Sequence, residues 1–234
     1  MGFLFAFGPN WQGGEFIDTC NCPSFKDGTK FGFSFGFLYE QDLSSAFQWG
    51  AASIFNNLGL IASYKQSELI DAVSPSTGKS EKVTIWFRQE AKTNFWYSSL
   101  VPYLKWSPSE YFFVKLGFSA SYVFYSHLSH TKELLTTSVR LGNGEPVNVK
   151  FTESGSTMET VYDGRFPALN PLQFGIEPMV GLNLFIGKNV FLSPGFWYSL
   201  PLTTLSSKGA DFKSNSWRIF LELRWAFSMR TKRN

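Results

Sequence analysis

Three groups of residues in this 234-residue chain have types and spacings that do chemistry. The run His127-Leu128-Ser129-His130 sets an imidazole two residues from a hydroxyl, the pairing in which a His takes the proton of a Ser attacking an acyl ester. Glu133 is the nearest acid that would orient such an imidazole. The H-x-x-H spacing also suits a metal, but no further ligands stand nearby, and no metal or other cofactor is expected. The second group, Cys20-Asn21-Cys22, is a disulfide candidate if the chain lives in an oxidising place. A one-residue gap in extended chain holds the two side chains parallel and about 6–7 Å apart, so free or partner-linked thiols and a metal site stay open beside the disulfide. The third group is six charges, Lys105, Lys115, Glu177, Arg218, Glu222 and Arg224, whose meaning depends on which way the chain points them.

That direction is legible from alternation, because successive side chains of a strand face opposite ways. From Lys30 to Tyr39 one row is Phe31, Phe33, Phe35, Phe37 and Tyr39, and the other is Gly32, Ser34, Gly36 and Leu38. The pattern returns over Phe112–Phe124, Phe174–Ile186 and Val190–Leu202, and over Trp217–Phe227, where Trp217, Ile219, Leu221, Leu223, Trp225 and Phe227 oppose Arg218, Phe220, Glu222, Arg224 and Ala226. Less regular segments at Gly2–Gly8, Phe47–Tyr64 and Phe95–Trp106 bring the count to eight. The wholly apolar rows would overfill one soluble core, while the opposite rows are too rich in Gly and Ser for a solvated face. A soluble lipocalin-like barrel or sandwich is the rival this disfavours. Glycine inside a strand weakens it unless something approaches closely, as inside a narrow barrel. The expected fold is therefore all-β: an eight-stranded antiparallel up-and-down transmembrane β-barrel whose six inner-row charges meet in the lumen.

Composition agrees: 18% of residues are aromatic, including 26 Phe and 8 Trp, far above a soluble domain. A net charge of +3 spread along the chain gives no nucleic-acid surface. No apolar run reaches the roughly 18 residues of a membrane helix, so the membrane case rests on strands. No charged and apolar leader precedes the first strand, so the chain reads as the mature or an expression form. Short connections at 40–45, 107–110 and 187–189 alternate with long polar ones at about 9–29, 65–94, 125–170 and 203–216. In bacterial barrels short turns are periplasmic and long loops extracellular. Trp96 and Trp106 lie ten residues apart on one row, and Trp217 and Trp225 eight apart. At a rise of about 3.3 Å per residue and a tilt of about 45° these spacings project to roughly 19–23 Å, the height between two aromatic girdles.

The Gly/Phe segment Phe31–Tyr39, the segment Leu100–Trp106 and the aromatic last strand resemble small outer-membrane barrels, the OmpA-like families and the "outer membrane protein β-barrel domain" common in Bacteroidetes. The resemblance spans the chain as one domain, 1–234, and implies an outer-membrane location with lipid and lipopolysaccharide as surroundings, and other outer-membrane proteins as complex partners. It carries no catalytic signature, so the expected role is non-enzymatic: a filled barrel presenting loops or serving as an accessory subunit. A narrow porin-like channel is one alternative. Another is a lipid A-modifying enzyme, since His127 and Ser129 at a barrel rim resemble the pair of outer-membrane lipid A deacylases, although counting parity from Phe112 puts both on the inner row. Gly142-Asn143-Gly144 between Leu134–Leu141 and Pro146–Phe151 predicts a hairpin that extends the wall outward, with a ten-stranded barrel as its rival.

Overall fold

The computed structural model describes residues 1–17, 23–152, 154–187 and 189–226. Cys20, Cys22 and Phe227 lie outside the described residues. All the regular structure described is strand: β1 (Gly2–Glu15), β2 (Thr29–Asp42), β3 (Phe47–Asn57), β4 (Leu60–Val73), β5 (Ser80–Trp106), β6 (Phe112–Leu134), β7 (Ser138–Arg140), β8 (Pro146–Asn148), β9 (Met158–Gly164), β10 (Leu172–Leu182), β11 (Leu184–Gly187), β12 (Val190–Pro201) and β13 (Ala210–Trp225).

Eight staves close a ring. β3 and β4 are one stave, because Asn57 pairs with Trp96 and Leu60 with Thr93 in a single unbroken register on β5. β9, β10 and β11 follow one another along another stave between β6 and β12. The ring then runs β1, β2, β3/β4, β5, β6, β9/β10/β11, β12, β13 and back to β1, every neighbouring pair antiparallel. Among the described residues no helix is long and apolar enough to cross a membrane. The outward rows, such as Phe31 to Tyr39 on β2 and Leu116, Phe118, Tyr122 and Phe124 on β6, stay exposed, while the Gly and Ser rows face the lumen. At Gly8 the inner row must be glycine, since a Cβ there would stand 2.2 Å from the Trp217 carbonyl oxygen.

The rim is uneven. Much of what reads as loop in sequence is paired strand: β4 and β5 continue as a hairpin to Val73 and Ser80, and β6 runs to Leu134 with β9 beside it. The rows there mix charged, hydroxyl-bearing and apolar residues, and the ladder continues above the apolar belt. β1 likewise runs to Glu15, past Pro9. The hairpin around Gly144, which takes φ +81°, forms as β7 and β8, but neither extends the wall nor adds staves to the ring. It lies against the inner face of the β4–β5 hairpin, where Val139, Val149 and Phe151 pack on Ile70, Val83, Ile85 and Phe87. That apolar strip on the raised wall needs a cover, and burying it outweighs leaving the ribbon in solvent.

Candidate functional site

The lumen is closed in two layers. Towards the short turns, the inner rows bring together Lys105, Lys115, Glu222 and Arg224, with Glu40 from the end of β2 at their centre. Lys105 reaches Glu40 at 3.0 Å, Lys115 reaches Glu40 at 2.9 Å and Glu222 at 2.7 Å, and Arg224 reaches Glu40 at 2.8 Å. The Tyr103 hydroxyl donates to Glu40 at 3.1 Å, and Arg224 donates to Asn183 and to Ser193. Three cations face two carboxylates, and the surplus positive charge is met by aromatic faces. Lys105, Lys115 and Arg224 stand 4.9, 5.2 and 5.3 Å from the centre of the fully buried Phe113 ring, and Lys115 is 4.7 Å from that of Tyr103. A ring quadrupole attracts a cation most strongly where water is excluded.

Sequence reasoning missed Glu40 by assigning it to a turn, although the inner row Gly32, Ser34, Gly36, Leu38 reaches Glu40 at the next step.

Glu177 and Arg218 belong to a different layer from the other four, so the six charges do not meet at one level. The Glu177 carboxylate accepts from Ser119 at 2.7 Å, the Trp197 indole at 2.6 Å and Ser199 at 3.0 Å, and among the described residues no cation lies within ion-pair distance. Arg218 instead repairs the ring. β1 pairs with β13 up to Phe7–Ile219 and again from Asn10–Ser216, with a gap at Gly8 and Pro9. Pro9 has no N–H to give. The Arg218 guanidinium fills the gap, donating to the carbonyls of Gly8 at 2.9 Å and Pro9 at 3.1 Å and to Asn10.

Towards the long loops the lumen is capped by aromatic packing. Phe16, Phe25, Phe95, Phe166 and Phe212 converge from five segments, with Phe16 to Phe212 at 4.8 Å, Phe95 to Phe166 at 5.2 Å and Phe166 to Phe212 at 5.5 Å between ring centres. Between cap and charge layer lies a cavity of about 30 Å³ bordered by Asn56, Ser99, Ser119, Ser121, Glu177 and Ser214. Tyr97 Oη and Ser214 Oγ also border it, and both are buried without a protein partner among the described residues. A polar chamber of that size takes ordered water.

The His127 and Ser129 pair is placed otherwise than parity from Phe112 implies. β5 pairs Tyr97 with Val123 but Trp96 with Tyr125, so Phe124 is an extra residue and the rows of β6 exchange above it. His130 therefore faces inward, its Nε2 2.9 Å from Gln89 Oε1, while His127 and Ser129 face outward. Glu133 is not their acid, since it accepts from Arg88 at 2.9 Å. Asp163 of β9 pairs with Ser129 across the ladder and lies 3.5 Å from His127 Nε2. Lys92 is the neighbour of Ser129 on β5 and pairs with Glu90 at 2.9 Å. This group sits just above Trp96. Trp96, Trp106, Trp217 and Trp225 all point outward, at two levels, with Trp49 near the lower and Trp11 near the upper. Among the described residues no cluster of three or more His, Cys, Asp or Glu is arranged to hold a metal ion.

No family model matches the chain. No curated protein matches it either. Among solved structures it is similar to Ail, the attachment invasion locus protein of Yersinia pestis, at 11% identity and TM-score 0.31 over 96% of this chain and 98% of that one. It is similar to Neisserial surface protein A at 10% identity and TM-score 0.34, covering 95% and 97%. It is also similar to the transport unit of the autotransporter AIDA-I from Escherichia coli at 10% identity and TM-score 0.25, covering 97% and 91%. Likenesses of this size assign the chain no family.

Proposed function

We propose that this chain is an integral outer-membrane protein in which a closed barrel holds up a folded extracellular wall, and that the wall, made of β4, β5, β6 and β9 with the β7–β8 ribbon on its inner side, is the working surface. The role is non-enzymatic: binding at the cell surface, or service as an accessory subunit of an envelope complex. The observation that carries this reading is the contrast between a lumen shut by two independent layers and a wall whose strands stay paired far above the rim. A shut lumen offers no path, whereas a paired wall presents side chains in fixed positions. On its outer face Trp86 and Leu69 are exposed, 48% and 70%, at neighbouring positions of two strands. Exposed aromatic and aliphatic groups on a rigid frame are the usual anchors of protein contacts. Cross-linking from Trp86 in intact cells, followed by purification in mild detergent, tests it: a defined partner that is lost in Trp86→Ala supports the reading. Stable unitary conductance of the purified parent in planar bilayers refutes it in favour of a channel.

A second reading is favoured by the outward turn of His127 and Ser129. With Asp163 beside the imidazole and Lys92 across the ladder from the hydroxyl, just above Trp96, the group has the parts for transfer of an acyl group from a lipid ester to Ser129, with His127 taking the hydroxyl proton and returning it to the lipid alcohol that leaves, and water then freeing the acyl chain from Ser129. Profiles of lipid A acylation from cells with and without the chain, and with Ser129→Ala, decide: a Ser129-dependent loss of an acyl chain makes the protein an enzyme, and identical profiles remove the reading.

A further inference from the structure

The lipid-facing belt is convex and bristles with Phe and Leu, and among the depressions in it are one of about 220 Å³ over Ser53, Ser98 and Ala120 and a larger one where β10 meets β12. Where β10 meets β12, the ladder pairs Gly175 with Pro201 and Ile176 with Leu200, then resumes at Met179 with Trp197, leaving Pro178 unpaired opposite Tyr198. Pro178 lacks the N–H a ladder bond needs, so the two staves are joined less closely there. The outward residues around it are small: Val114 on β6, and Pro178 and Val180 on β10. Those beyond are large: Phe196 and Tyr198 on β12, and Trp217 on β13. A floor of small residues beside a bank of tall ones makes a groove of about 400 Å³, with Met179 and Trp197 of the inner rows in its depth. That volume is within the range of small-molecule sites. Its lining is apolar apart from the Tyr198 hydroxyl, and it is continuous with the outward apolar rows of the same four strands.

We propose that this groove binds one acyl chain of a bilayer lipid and holds it as a fixed part of the barrel's surface. The occupant follows from continuity: the groove opens onto the face already covered by hydrocarbon, so a chain enters it without leaving the bilayer. Selectivity follows from shape. Inside a bilayer no hydrophobic force favours one apolar contact over another, and what remains is dispersion packing and the entropy of the lipid. A chain on a convex wall touches protein on one side only. In the groove it touches the floor and the flank of Phe196, Tyr198 and Trp217 as well, and each close pair of atoms adds to the attraction. Trp197 gives the site a link to the interior, since its indole N–H is held by Glu177 in the lumen while the residue lies at the depth of the groove.

The test uses the full-length chain in phosphatidylcholine vesicles containing a phosphatidylcholine with a diazirine midway along one acyl chain, with the adducts mapped by mass spectrometry after illumination. Adducts at Val180, Phe196, Tyr198 and Trp217 are expected in several-fold excess over those on the opposite row, Phe33 to Phe37. Val180→Trp, which fills the groove, is expected to abolish that excess and leave the opposite row unchanged. Val114→Phe fills it from another strand and serves if Val180→Trp does not fold. Adducts spread evenly round the belt, an excess that survives both substitutions, or a protein-to-protein cross-link at the groove in place of lipid would each overturn the proposal.

Discussion

The lower lumen is closed by charges and the upper lumen by phenylalanines. The lower closure is a network in which one carboxylate, Glu40, serves three cations, so its parts depend on one another. The upper closure is additive packing of rings from five segments, tolerant of shape and indifferent to salt. A charge network is stiff and fails as a unit, whereas a packed cluster loses contacts one by one. The barrel is therefore closed at the foot by a layer whose parts depend on one another and at the top by one whose parts add.

The sharpest way to break that comparison is Glu40→Ala. It leaves Lys105, Lys115 and Arg224 with Glu222 alone, and a cost of about 3–5 kcal/mol is expected for an uncompensated buried charge. Denaturant titration in detergent reads it, and an unchanged midpoint would show the layer to be hydrated. Phe212→Ala, at the centre of the cap, is expected to cost about 3 kcal/mol through lost burial and a residual cavity. Because each layer closes the lumen alone, neither variant is expected to conduct in planar bilayers, while the double variant is. Conductance from one of the singles would mean that the other layer is no seal.

Glu222→Ala is the milder test of the network, at about 2–3 kcal/mol, because Glu40 still holds Lys115 and Arg224. A loss as large as that of Glu40→Ala would contradict the central place given to Glu40. The smallest effect lies above the rim, where Glu145 accepts from Ser74 at 2.7 Å and Ser76 at 2.8 Å. Hydrogen bonds from the hydroxyls of Ser74 first and then Ser76, and from the Asn143 amide, hold its carboxyl below the ordinary carboxylate range. A depressed pKa contributes stability at neutral pH that is lost as pH falls through the depressed value. Protection factors of the β7 and β8 amides, corrected for the intrinsic pH dependence of exchange, should thus fall on acidification below the usual carboxylate range, and Glu145→Gln should remove that dependence.

Parity along β5, β6, β10 and β13 was enough to send the six charges inward, because within the belt each strand must separate lipid from lumen. Their partners were not legible in the same way. Whether Glu177 meets a cation or three hydrogen-bond donors depends on which staves bring their inner rows to its level, and alternation carries no information about height. Arg218 reads as a charge awaiting a carboxylate, yet its partners are the carbonyls of Gly8 and Pro9 at a gap in the ladder, far away in the chain. His127 and Ser129 were misdirected by one extra residue at Phe124, a bulge with no Gly or Pro to mark it. The raised wall escaped notice because its strands leave the bilayer, so the contrast between apolar and polar rows fades while the pairing goes on.

The gap that Arg218 bridges also bears on how the barrel is made. Its contact with Gly8 joins residues 210 apart in sequence, whereas each hairpin closes over a short span. Closing so long a loop is entropically unfavourable and has no local reward, so the hairpins form first and β1 meets β13 last. Until then the chain is a curled sheet with two open edges, each able to template the strand of another chain. An arginine that binds the facing strand's carbonyls through its side chain can engage before the backbone ladder is in register, and so latch the last seam while the rest of it zips.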